Sequence, residues 1–100
     1  MSAASQVHES EFVVQGELGL HARPASQFVA LAARFRCAIH VGRGDEWVDG
    51  RSILSLLSLA ASRGTALRIR AEGDDAAEAV EALGRLIEQA GHPGGKPAAN

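Results

Sequence analysis

The chain is poor in several things that would each announce a function. A single cysteine, Cys37, excludes an internal disulfide, and with four scattered histidines it offers no zinc-type ligand spacing. Neither a metal nor another cofactor is therefore expected. Ten basic residues against twelve acidic ones leave a net charge of −2, too little of either sign to bind nucleic acid or an anionic membrane surface through a global field. No apolar run approaches the roughly 18 residues of a membrane span. The first residues, Met1-Ser2-Ala3-Ala4-Ser5, lack the basic-then-apolar order of a secretory signal. Membrane insertion is not expected, and the cytoplasm is the expected location. No carboxylate pair, Cys–His pair or glycine-rich nucleotide loop is found, which argues against independent hydrolysis or nucleotide turnover.

What the chain has is enough for one domain. Of its 100 residues, 46% are apolar, which suits one modest core and leaves no room for a second domain. No segment repeats at a fixed period. Residues 1–7 are read as small or polar, and 91–100 contains Gly91, Pro93, Gly94, Gly95 and Pro97, so both ends are predicted to be tails around a unit at 8–90.

Within that unit the hydrophobic period alternates between two and 3.6. A short strand is predicted at Glu11-Phe12-Val13-Val14. Over 22–35, Ala25, Phe28, Val29, Ala32 and Phe35 form a helical stripe, with Pro24 in the first turn, where a missing N–H costs nothing. Ile39 and Val41 open a β-hairpin that turns at Gly42-Arg43-Gly44-Asp45 and returns through Trp47 and Val48. Ser52 to Leu59 reads as a short helix with more apolar residues than one face can hold, so Ile53, Leu54 and Leu57 are expected to divide between core and surface. Leu67, Ile69 and Ala71 alternate as a strand. Ala76, Val80, Leu83 and Ile87 step as a helix, capped by Asp74 or Asp75 and closed by Gly91. The predicted fold is α+β, a sheet with one face covered by three helices.

The arrangement that points to chemistry is Gly-Leu-His-Ala-Arg-Pro-Ala at 19–25, a histidine at a helix start with an arginine two positions on. The unpaired N–H groups and positive end of a helix favour an anion. An imidazole with an ordinary pKa of about 6.5 keeps a neutral nitrogen available as nucleophile near pH 7. His21 could take a phosphoryl group, with Arg23 and the backbone N–H groups of Ala22 and Arg23 around its oxygens. By spacing alone, the same residues fit an ordinary helix cap beside a solvated arginine.

Together with Gly-Arg-Ser-Ile-Leu at 50–54 and Leu-Ala-Ala-Ser-Arg-Gly-Thr at 59–65, this motif resembles the histidine phosphocarrier (HPr) family of the phosphoenolpyruvate phosphotransferase system over roughly residues 9–90. The resemblance implies an open-faced β-sandwich with a four-stranded antiparallel sheet and three helices on one face. It further implies a monomeric relay that is a substrate of other enzymes: enzyme I phosphorylates Nδ1 of His21, and an enzyme IIA-type protein receives the group. Ser52 matches a serine that a dedicated kinase modifies in some members, but its favoured reading here is the N-cap of the short helix. The resemblance places Ile53, Leu54 and Leu57 beside His21 as a docking patch, rimmed by Arg23, Ser26 and Arg51. Leu18 stands where many sugar-pathway carriers have a small polar residue, a likeness to the nitrogen-related NPr branch. Sugar uptake and nitrogen-related regulation are both open as the setting. A different class of function, a regulatory module that binds proteins through 53–57 without transferring phosphate, is also open. The remaining histidines, His8, His40 and His92, are expected to be solvated, Cys37 to be a small buried hydrophobe, and Trp47 to pack on the hairpin or meet a partner.

Overall fold

The computed structural model describes residues 6–15, 22–59 and 62–89. Seven elements follow one another: β1 (Val7–Val13), α1 (Ala22–Ala32), β2 (Ala38–Arg43), β3 (Glu46–Asp49), α2 (Ile53–Ser58), β4 (Ala66–Glu72) and α3 (Ala76–Gln89). The strands form one antiparallel sheet in the order β1-β4-β2-β3, so β4, the last strand in the sequence, lies between the first two. Alternation decides which way each strand faces. Ile39, Val41, Leu67, Ile69 and Ala71 are buried, while His40 and Arg70 between them are exposed. The inward residues join Ala25, Phe28 and Ala32 of α1, Leu56 of α2 and Ala76, Ala79, Val80, Leu83 and Ile87 of α3 in a single core. This is the α+β sheet covered by three helices that the periodicities predicted.

The largest difference is β1. It starts at Val7 rather than Glu11 and pairs with β4 along its whole length, from Val7 opposite Glu72 to Val13 opposite Ala66. The Gln6 carbonyl accepts the Gly73 N–H at 2.8 Å, so the folded unit begins before residue 8 and Val7 does not belong to a tail. β1 is an edge strand with Val7, Glu9, Glu11 and Val13 on its exposed side and only Ser10 and Phe12 half-buried. Such a strand carries little apolar alternation to find. Val14, expected to end the strand, lies just beyond it, fully buried and bonded to Thr65 and Gly64. The predicted tail at 91–100 and the Gly91 helix stop lie outside the described residues.

The hairpin turn is tighter than predicted. Arg43 pairs with Glu46, leaving Gly44-Asp45 as the loop, and Gly44 takes the positive φ of 60° that two-residue hairpin turns demand. On the exposed face of the sheet Trp47 lies across Gly42, where a Cβ would stand 2.9 Å from its ring. The Arg68 guanidinium covers the ring at 4.7 Å, and Arg68 also donates to the Gly44 carbonyl and pairs with Glu9 at 3.9 Å. Trp47, 37% exposed, is thus a packing residue of the open face.

Asp75 takes the N-cap position of α3 as expected, its carbonyl accepting the Ala79 N–H at 3.0 Å, but its carboxylate is used elsewhere. It accepts the N–H groups of Arg36 at 2.9 Å and Cys37 at 3.1 Å, tying the start of α3 to the connection between α1 and β2. Those bonds, Arg36 first, hold the Asp75 carboxyl below its ordinary range. Cys37 is 2% exposed, and burial, followed by the nearby Asp75, pushes its thiol up to about 11. It is the inert buried hydrophobe expected of it.

Candidate functional site

Helix α1 is described from Ala22, in keeping with the start at or just after position 21 that the sequence predicts. His21 itself, with Gly19, Leu20 and Leu18, lies outside the described residues. Ala22 and Arg23 are exposed in the first turn, whose N–H groups have no partners within a helix. Pro24 and Ala25 turn inward and are buried, and Phe28 and Ala32 continue the stripe into the core. This packing fixes the rotation of α1 about its axis, which leaves Arg23 and Ser26 on the exposed side.

Helix α2 packs against α1 and against β3. Only Leu56 and the C-cap residue Leu59 are fully buried there; Leu57 is half-buried, Ile53 is 38% exposed and Leu54 is 79% exposed. The crowded apolar segment is therefore split as expected, and Leu54 is the most outward of the large apolar side chains described. Neither α1 nor α2 contains an acidic residue, and the sequence has no carboxylate from 50 to 71; the nearest in the chain is Asp49, at the end of β3.

Ser52 is the N-cap of α2: its Oγ accepts the Ser55 N–H at 3.2 Å, and its carbonyl accepts the Leu56 N–H at 3.0 Å. The cap reading of this serine is correct. Arg51, expected on the rim of the patch, instead turns toward α1. Its Nη2 donates to the carbonyls of Ala32 at 3.1 Å and Phe35 at 2.8 Å, at the C-terminal end of that helix. Arg51 is half-buried, with its guanidinium engaged within the fold. The helix has no basic residue of its own in its last turn, and a guanidinium from elsewhere supplies the positive charge there, adding to the Phe35 N–H that the Ala32 carbonyl already accepts at 3.1 Å.

A residue that the sequence did not single out does the same for α2. Arg43, at the end of β2, donates through Nη1 to the carbonyl of Leu59 at 2.6 Å. The missing basic residue in the last turns of both helices was the available signal, though not the identity of the donors. The other histidines described take no part: His8 and His40 are exposed on β1 and β2. Among the described residues no three His, Cys, Asp or Glu side chains are grouped as a metal site would need, and no helix is long and apolar enough to cross a membrane.

Similarity to known proteins agrees with this arrangement. The family model described as "PTS HPr component phosphorylation site" matches residues 8–89. The phosphocarrier protein HPr of Pseudomonas aeruginosa is 46% identical over 78 residues, covering 77% of this chain and 87% of that one. The HPr of Lysinibacillus sphaericus is 41% identical over 81 residues, 81% of this chain and 92% of its own. Among solved structures, a phosphocarrier protein HPr from Bacillus anthracis superposes with a TM-score of 0.78 at 37% identity, covering 81% of this chain and 96% of that one. A motif-bearing helix start, an exposed leucine on the adjoining short helix and a match spanning nearly all of the described fold lead to one conclusion: the chain belongs to the HPr family of phosphocarriers.

Proposed function

We propose that this carrier accepts a phosphoryl group on His21 from phosphorylated enzyme I and passes it to an enzyme IIA-type protein, working as a monomer in the cytoplasm. The observation that carries the proposal is that Ala22, Arg23, Pro24 and Ala25 of the sequence motif at 19–25 form the first turn of α1, locked by buried Pro24 and Ala25 with Arg23 exposed.

In the transfer, the lone pair of a neutral ring nitrogen, Nδ1 in the family, forms the P–N bond as the donor's bond to phosphorus breaks and its electron pair leaves with the donor. The three phosphoryl oxygens then face the N–H groups of Ala22 and Arg23 and the Arg23 guanidinium. Phosphoryl transfer depends on positioning and charge stabilisation more than on acid–base groups, so a carrier needs no catalytic partner for its histidine. The second enzyme's nucleophile reverses the step.

Docking falls to Ile53, Leu54 and Leu57, with Arg23 and Ser26 beside them. A small apolar centre suits brief encounters with several acceptors. The absence of carboxylates from α1 and α2, with Arg23 exposed on α1, favours partners with an acidic rim, whose encounter rate falls as salt rises. A phosphate on Ser52, placed there by a kinase, would disturb the N-cap and add negative charge beside the patch, weakening docking to such partners.

The test uses purified carrier, enzyme I and phosphoenolpyruvate. The expected result is one phosphate per chain, discharged on addition of an acceptor; sugar-permease and nitrogen-regulatory IIA proteins are offered separately to name the branch. A chain that binds these partners equally well with and without phosphate, and transfers none, would be the non-catalytic regulatory module instead.

A further inference from the structure

Helix α2 has six residues, too few to hold its shape without help from the rest of the fold. The element that presents Leu54 therefore takes its geometry from its attachments. The attachments at its N-terminal side are unusually dense. Gly50 donates to the Ile39 carbonyl at 2.9 Å, and a Cβ on it would stand 2.6 Å from Ile39 Cγ2, so this point of the chain is pressed onto β2. The Asp49 carboxylate accepts the Arg51 N–H at 2.9 Å, and the Asp49 carbonyl accepts the Ser52 N–H at 3.2 Å. Ser52 then caps α2. Between these bonds, the Arg51 side chain leaves the connection and holds the carbonyl end of α1 through Ala32 and Phe35. At the other end of α2, Arg43 binds the Leu59 carbonyl from β2.

We infer that Arg51 is a positioning residue for phosphotransfer: by gripping the C-terminal end of α1 from the residue next to the α2 cap, it fixes the docking helix relative to α1, the helix that carries Arg23. The inference rests on the relay reading above, with α2 as the docking element. Its physical basis is that one Nη2 bridges the carbonyl of Ala32, the last residue of α1, and that of Phe35, three residues beyond it. The bond is charge-assisted, and it closes a loop linking α1, the end of β3 and the start of α2. A partner that must touch Leu54 and His21 together meets a surface whose two halves are already aligned, so less ordering remains to be done on binding. Arg43 restrains the far end of α2 in the same way, leaving the helix little freedom to tilt about its cap.

The test compares the full-length wild type with Arg51→Ala and Arg51→Lys in two measurements. The first is amide hydrogen exchange in the free carrier at Leu56, Leu57 and Ser58 of α2, with Leu67 and Ile69 of β4 as internal reference. Arg51→Ala is expected to speed exchange in α2 about tenfold over any change in β4, the loss of one charge-assisted hydrogen-bonded grip, and Arg51→Lys to recover most of it. The second is transfer from phosphorylated enzyme I, where KM for the Arg51→Ala carrier is expected to rise about tenfold while kcat stays within about twofold.

Exchange in α2 that does not change overturns the inference, and a KM rise without it makes Arg51 a direct partner contact. Equal acceleration in β4 also overturns it, because Arg51 would then serve only general stability. If the wild type takes up no phosphate although α2 exchange responds as expected, the grip on α1 stands and the relay reading is what fails.

Discussion

Neighbouring leucines of α2 should fail in opposite ways. Leu54 is 79% exposed and Leu56 is fully buried, although two positions separate them in a helix of six residues. Truncating Leu54 to alanine removes apolar surface that the free protein leaves in water, so stability should change by no more than about 0.5 kcal/mol. On docking, that same side chain should be covered. Fully burying a leucine is worth about 1.5–3 kcal/mol, and with most of that area still available here, its loss to alanine should cost about 1.5 kcal/mol of encounter free energy. That corresponds to roughly a tenfold drop in transfer from phosphorylated enzyme I, carried by KM. Leu56→Ala instead opens a cavity among α1, α2 and the sheet, at about 3 kcal/mol, lowering the melting temperature by roughly 15 °C in a domain of this size. Thermal melts beside steady-state phosphotransfer separate the two. A Leu54→Ala protein that melts like Leu56→Ala, or that transfers at the wild-type rate, would refute the assignment of α2's outer face as the docking patch.

Three further outcomes follow from the geometry. Ser52→Ala removes the acceptor of the Ser55 N–H and should lower stability by about 1 kcal/mol in denaturant titrations; Ser52→Asp should restore the cap but slow transfer. Asp75 has its carboxyl held below the ordinary 3.8, chiefly by the Arg36 N–H, so the unfolded chain binds more protons in the acid range. Stability from this group is present above that ordinary value and is lost as pH falls through the depressed one, and an Asp75→Asn protein should show a flatter acid limb in melting temperature against pH. Cys37 has its thiol raised to about 11 and is 2% exposed, so alkylation of the native chain at pH 8 should be far slower than of the denatured chain; comparable rates would contradict the packing around Gly73 and Asp75.

How much of this was readable in advance depended on whether a residue acts within its own element. The stripe of Ala76, Val80, Leu83 and Ile87 is a local pattern, and α3 is found where it predicts. Ser52 caps a helix that starts one residue later, so its role too was local. β1 was half hidden because an edge strand buries little, and the order β1-β4-β2-β3 could not be read because periodicity says which face a strand buries but not which strand it joins. The side-chain bonds of Arg51 and Asp75 were hidden for a shared cause: each has a long-range acceptor or donor role that leaves its own element. Arg51 reaches carbonyls 19 and 16 positions away, and Asp75 reaches N–H groups 39 and 38 away. Nothing in the local sequence distinguishes such a side chain from a solvated one. At the site, the motif at 19–25 carried the chemistry, whereas the exposure of Leu54 needed the packed fold, since which leucines of 53–59 face outward is decided by how α2 lies on α1 and β3.

The central claim is that one imidazole carries the phosphoryl group. The most direct measurement is site-resolved mass spectrometry, under alkaline conditions, of carrier charged by enzyme I and phosphoenolpyruvate, alongside His21→Ala. The account predicts a single acid-labile, alkali-stable phosphate on His21 and none on the variant. A stoichiometric phosphate at another residue, or one that persists in His21→Ala, would contradict it.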